Sequence, residues 1–167
     1  MAHNNRAQTM TTAPQRKSPA RWLLTAALVL ATVGGVGAFT LPGFGKPEKV
    51  QAVNGVVTIP VAKVSDGKAH FYRYSDGNKE VSFFLLKASD GTLRSAFDAC
   101  DACYREKKGY EQQGDKMVCR NCNMKFASTR IGPASSGGCN PSPLPHALTG
   151  ANVAISAADL KAGTRFF

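Results

Sequence analysis

Beyond its first forty-odd residues the chain sets its apolar side chains in short runs separated by polar turns. This is the pattern of strands rather than of long helices. Val56-Val-Thr-Ile-Pro-Val-Ala-Lys-Val64 is β-branched and extended, with Pro60 marking a strand break or an edge. Ala69-His-Phe-Tyr-Arg-Tyr74 alternates and is aromatic, and Glu80-Val-Ser-Phe-Phe-Leu-Leu-Lys87 is the most strand-like run in the chain. Ser65-Asp-Gly67, Ser75-Asp-Gly-Asn78 and Ser89-Asp-Gly91 bound these runs as turns. Three strands joined by Asp-Gly turns predict an antiparallel meander with Tyr72, Tyr74, Phe83 and Phe84 in its core. Thr92 to Asp98 reads as a short helical turn, Tyr104 to Met117 as a polar loop, and Met124-Lys-Phe126 as a short strand. Ser135-Ser-Gly-Gly138 reads as a flexible loop and Asn152-Val-Ala-Ile-Ser156 as a strand. Ser156-Ala-Ala-Asp159 has the form of a helix N-cap, with Gly163 ending that helix and Thr164-Arg-Phe-Phe167 forming a final strand.

The N-terminal part follows a different pattern. Trp22 to Leu41 is an uncharged apolar run of a length that spans a bilayer core of about 30 Å. Arg16, Lys17 and Arg21 precede it, so the N-terminus is expected in the cytoplasm and the C-terminal domain outside. An anchor over residues 21–41 competes with a long signal peptide cut after Val36-Gly-Ala38. The predicted organisation is a disordered cytoplasmic tail over 1–20, a transmembrane helix over 21–41, a Pro/Gly linker over 42–52 and an exported domain over 53–167. No Arg-Arg pair precedes the apolar run, which favours export of an unfolded chain and metal loading outside.

Charge refines this picture. The chain of 167 residues carries 21 basic and 11 acidic side chains, a net +10. Four of the cations, and no acid, lie in residues 1–45, so the folded part carries only +6. These charges form no run, and beside a membrane segment they give no nucleic-acid footprint. They suit an acidic partner, or offset the negative charge of a thiolate site. No Ser–His–Asp set, carboxylate pair or phosphate loop appears, so hydrolysis is unsupported and a redox or metal-binding accessory is favoured over a stand-alone enzyme.

The chemistry resides in five cysteines. Cys100-Asp-Ala-Cys103 and Cys119-Arg-Asn-Cys122 are two Cys-x-x-Cys knuckles separated by fifteen residues, and Cys139 follows in Gly137-Gly-Cys-Asn-Pro141. Two such pairs complete a four-sulfur shell for Zn²⁺, a rubredoxin-like iron or an iron–sulfur centre. Cys100, Cys103, Cys119 and Cys122 are therefore the predicted metal ligands. Arg105, Lys107, Lys108, Lys116, Arg120 and Lys125 lie near them in sequence. Disulfides remain the rival in an oxidising compartment. Cys139 is read as an extra ligand, a resolving thiol or a buried core residue. His70, on an aromatic strand, is either packed or an accessory ligand. Asp98 and Asp101 flank Cys100 as ligands, hydrogen-bond acceptors to the ligands, or turn residues, and Tyr110 is expected to pack over the site with its hydroxyl partnered.

Together with Phe83-Phe84, Lys108-Gly-Tyr110 and the His70 strand, these cysteine motifs resemble the FtrD-like membrane iron–sulfur proteins associated with bacterial ferrous-iron transport. The similarity extends over nearly all of the exported domain. It implies an iron or iron–sulfur centre, with zinc or another transition metal as the alternative, and a place in the bacterial inner membrane with the domain in the periplasm. It also implies partners: an iron permease and periplasmic iron-binding or oxidase proteins. The expected fold is mainly β, a small antiparallel β domain with zinc-ribbon or rubredoxin-like Cys knuckles preceded by one transmembrane helix. The expected role is electron transfer or metal handling in ferrous-iron uptake. The alternatives are a membrane-tethered thiol–disulfide protein and a zinc-stapled interaction module.

Overall fold

A computed structural model describes residues 46–133 and 137–167. The predicted tail, the segment 21–41 and the start of the linker lie outside these residues. Among the described residues, no helix is long and apolar enough to cross a membrane.

The described residues contain ten strands in three small sheets. The first sheet contains β1 (Glu48–Val50), β3 (His70–Asp76), β4 (Lys79–Lys87) and β5 (Leu93–Phe97), in the order β1-β3-β4-β5. The second is β2 (Val56–Pro60), β10 (Asn152–Ser156) and β9 (Ala147–Thr149), in the order β2-β10-β9. The third is a meander of β6 (Tyr110–Gln113), β7 (Lys116–Cys119) and β8 (Lys125–Ala127). Among the described residues one α-helix, α1 (Ala157–Ala162), follows β10.

The antiparallel meander exists, one strand later than the apolar runs suggest. It is β3-β4-β5, with Phe71 opposite Phe84 and Phe84 opposite Ala96. β2 does not join it. Val61–Val64 winds into a 3-10 turn directly after Pro60, and β2 pairs antiparallel with β10, placing Val57 opposite Ile155. The stretch expected to be a helical turn is strand β5, because the Ser89-Asp-Gly91 turn folds it back along β4. Asp90 secures that reversal by accepting from the backbone N–H of Thr92 and from Arg94. β1, inside the stretch read as linker, runs parallel to β3.

β4 lies between the two cores of the described domain. Val81, Phe83 and Leu85 point to one side, where they meet Val57, Ile59, Val153, Ile155 and Leu160. Phe84 and Leu86 point to the other, where they meet Tyr110, Met117, Ile131 and three of the cysteines. A strand with both faces covered needs a near-continuous apolar run, which is what Val81 to Leu86 supplies apart from the half-buried Ser82. Burying one such Phe is worth about 2–3 kcal/mol.

The polar region between the knuckles is a correction as well. It is not a loop: β6 and β7 pair from Tyr110↔Cys119 to Gln113↔Lys116, turning at Gly114 and Asp115. It reads as polar because its outer face is open to solvent, while Tyr110, Met117, Val118 and Cys119 are buried. The C-terminus also departs from expectation. Gly163–Phe166 is a 3-10 turn, not a strand, and Phe166 packs on Phe97 at 5.8 Å between ring centroids. Gly163 is required there, since a Cβ would lie 2.2 Å from the Phe97 ring. The helix start is as expected: Ser156 Oγ accepts from the N–H groups of Ala158 and Asp159.

Candidate metal centre

Three chain segments bring the cysteines together. β5 runs into the first knuckle, where the N–H of Cys103 turns back to Cys100 Sγ at 3.3 Å and the N–H of Tyr104 to the Cys100 carbonyl at 3.1 Å. β7 ends at Cys119, and the second knuckle closes with the N–H of Asn123 donating to the Cys119 carbonyl at 2.9 Å. Asn123 takes a positive φ of 60°, a conformation that Asn tolerates well. The third segment, around Cys139, is tied down on both sides. Gly138 accepts from the N–H of Ala102, Ser142 exchanges backbone hydrogen bonds with Phe97 and Ala99, and Pro143 bridges to Ala96.

Cys139 lies at the focus. Its Sγ is 3.8 Å from that of Cys100, 3.5 Å from Cys103 and 2.7 Å from Cys122. The sulfurs of Cys100, Cys103, Cys119 and Cys139 all lie within 4.8 Å of one another. Cys122 is the most exposed of the five, and its Sγ reaches Cys139 as well as lying beside Cys119. No disulfide joins any of them. A tetrahedral thiolate shell with metal–sulfur bonds of about 2.3 Å has sulfur–sulfur edges of about 3.8 Å. The spacings from Cys139 to Cys100 and Cys103 match those edges, and Cys100, Cys103, Cys119 and Cys139 together could hold a single thiophilic ion. The 2.7 Å from Cys139 to Cys122 is too short for such an edge. Five sulfurs supply one more than such an ion takes.

The surroundings polarise the thiols in opposite directions. Burial pushes Cys119 up, but the N–H groups of Cys122 and Asn121 and the neighbouring thiols outweigh it and bring Cys119 down to about 7. Burial, together with hydrogen bonds to the surrounding sulfurs, pushes Cys139 upward. Tyr110 is fully buried and its hydroxyl donates to the Cys139 carbonyl at 2.5 Å, so it fixes the third segment from below. Burial, then the Cys100 thiol, pushes that phenol upward.

The accessory residues sit apart from the sulfur group. Asp98 accepts from the Tyr110 N–H at 2.7 Å, and burial raises its carboxyl to about 7 against the pull of that bond and of Arg120 and Arg73. Gly109 makes this approach possible: at φ +65° a Cβ would lie 2.5 Å from the Asp98 carboxylate. Asp101 pairs with Arg165 at 3.6 Å on the surface. His70 Nε2 lies 2.7 Å from Asp66 and is occupied there rather than with the thiols.

A family model described as "Membrane iron-sulfur containing protein FtrD-like" matches residues 64–167. The chain belongs to this FtrD-like family. The matched stretch contains all five cysteines and every strand from β3 onward, so the sulfur group lies within it. A search of curated proteins finds no match. The FtrD-like description accords with a metal-binding cysteine cluster on a mainly β domain. Sequence reasoning missed the arrangement of that cluster. Nothing in the Cys-x-x-Cys spacing indicates that Cys139 lies deeper than Cys122; the signal was the loop itself, whose Gly137-Gly138 step and Pro141 shape a turn between fixed ends.

Proposed function

We propose that this protein is a membrane-anchored, cysteine-ligated iron protein that handles metal or passes electrons in support of ferrous-iron uptake. The observation that carries the reading is the convergence of four thiol sulfurs within 4.8 Å of one another, from three separate segments of an FtrD-like chain. Cys100, Cys103 and Cys119 supply three ligands, and Cys139 and Cys122 compete for the fourth place. A thiolate-bound iron supplies one-electron chemistry when present. The chain's own residues do the positioning. Backbone N–H groups face the sulfurs, Tyr110 holds the Cys139 carbonyl, and Phe84 and Ile131 keep one flank dry. The apolar segment 21–41 acts as the anchor, with the domain in the periplasm beside an iron permease and its iron-binding or oxidase partners.

Metal analysis and the visible spectrum of the purified chain test this reading. Iron bound one per chain with sulfur-to-iron charge-transfer bands supports it. Cys100→Ser, Cys103→Ser and Cys119→Ser each abolish the bands, and comparing Cys139→Ser with Cys122→Ser identifies the fourth ligand. Stoichiometric zinc without colour overturns the redox role and leaves an interaction module. A second reading, thiol–disulfide exchange, is favoured by the 2.7 Å approach of Cys122 to Cys139 and the low-lying Cys119 thiol. Metal-free protein whose disulfides equilibrate with glutathione would establish it instead.

A further inference from the structure

Beside the sulfur group lies a cleft of about 620 Å³ that Cys100, Cys103 and Cys119 help to line. Five cations face it: Arg73, Lys79, Lys107, Lys108 and Arg120. Among the described residues only two acids, Glu80 and Asp98, accompany them. Arg73 is paired with Glu80 at 3.3 Å, and Arg120 reaches Glu111 at 3.6 Å. The other three have no carboxylate partner among the described residues. Lys79 donates to the Thr164 carbonyl, Lys108 donates to Asn121 Oδ1, and Lys107 has no ion pair. Thiolates bound to a metal account for part of this charge. The cations, however, come from three separate chain segments: the β3–β4 hairpin, the turn after Cys103 and the second knuckle.

We propose that this cleft binds a small polycarboxylate anion, free or as the chelate of a metal cation. The proposal names a ligand for the site assigned above and rests on that assignment only for the identity of the metal. Like-charged side chains gathered at a concave surface repel one another unless an anion joins them. Their spread over several chain segments suits a ligand with several separated carboxylates better than one compact phosphate. The volume is that of a small-molecule site. Tyr104, Phe166 and Phe167 give it an apolar side for the carbon skeleton. An anion seated there brings hard oxygen donors alongside soft sulfur donors, which is the arrangement for passing a cation between carrier and protein.

The test is calorimetric titration of the full metal-loaded chain in detergent with propane-1,2,3-tricarboxylate, a tricarboxylate that chelates weakly and leaves the metal in place. The expected result is saturable one-to-one binding. Affinity falls about tenfold or more in Lys107→Glu/Lys108→Glu, and falls similarly between 50 and 500 mM salt as the charges are screened. Arg73→Gln, on a different chain segment, weakens binding independently of the first pair, so misfolding of one variant cannot mimic the result. Metal content, measured on the same samples, stays at the wild-type level in both variants. Absence of saturation at 10 mM tricarboxylate overturns the proposal, as does equal binding by wild type and variants. Binding of poly-glutamate but not of the tricarboxylate also overturns it, and makes the cleft a docking face for an acidic protein. Loss of metal from the wild type counts against the iron reading and leaves the anion titration free to stand or fall separately.

Discussion

Single side chains around the centre are held by contacts that tolerate no added atom. Gly109 is the clearest case, with a positive φ and a carboxylate where its Cβ would go. Gly109→Ala is expected to destabilise the domain by about 2–4 kcal/mol, read as a lower denaturant midpoint, because it combines backbone strain with displacement of Asp98 from the Tyr110 N–H. His146 offers a pH probe that is not itself one of the sulfur group. Its Nδ1 lies 2.6 Å from Ser95 Oγ, and Ser95 donates to the Leu144 carbonyl. Burial lowers the histidine below its ordinary 6.5. The unfolded chain therefore takes up the proton first as pH falls, so this contribution to stability is intact above 6.5 and is lost below it. His146→Gln should flatten the fall in stability between neutral pH and about pH 5, measured by urea unfolding at a series of pH values.

At the level of elements, local chemistry was legible and partnership was not. β4 announced itself through Val81 to Leu86, β10 through Asn152 to Ser156, and α1 through its cap, since each depends on neighbours in sequence. Ser156→Ala is expected to cost about 1 kcal/mol by removing that cap, measured as a fall in the unfolding midpoint. The partner of β2 was hidden because nothing local says that a strand ending at Pro60 will skip its neighbour and pair with one more than ninety residues later. The β6–β7 hairpin was hidden because a strand with one wet face and only four residues carries little periodicity. The cysteine set was visible as a set, whereas the depth of each sulfur depends on where the third segment lands, and Tyr110 and Ala102 decide that.

For the molecule as a whole, the second core contains Cys100, Cys119 and Cys139 among its buried members, so the iron proposed above would complete it. Removal of the ion with a chelator should lower the thermal midpoint by several degrees, seen by circular dichroism, because binding free energy released by the folded state alone adds to its stability. The loss should not remain local. Val81, Phe83 and Leu85 press on the opposite side of the same backbone that carries Phe84 and Leu86. A wall shared by two rooms conveys any sag in one to the other. Demetallation is therefore expected to quicken amide exchange at Val153 and Ile155, in the core on the far side of β4, reporting the state of the centre to side chains that touch none of the cysteines.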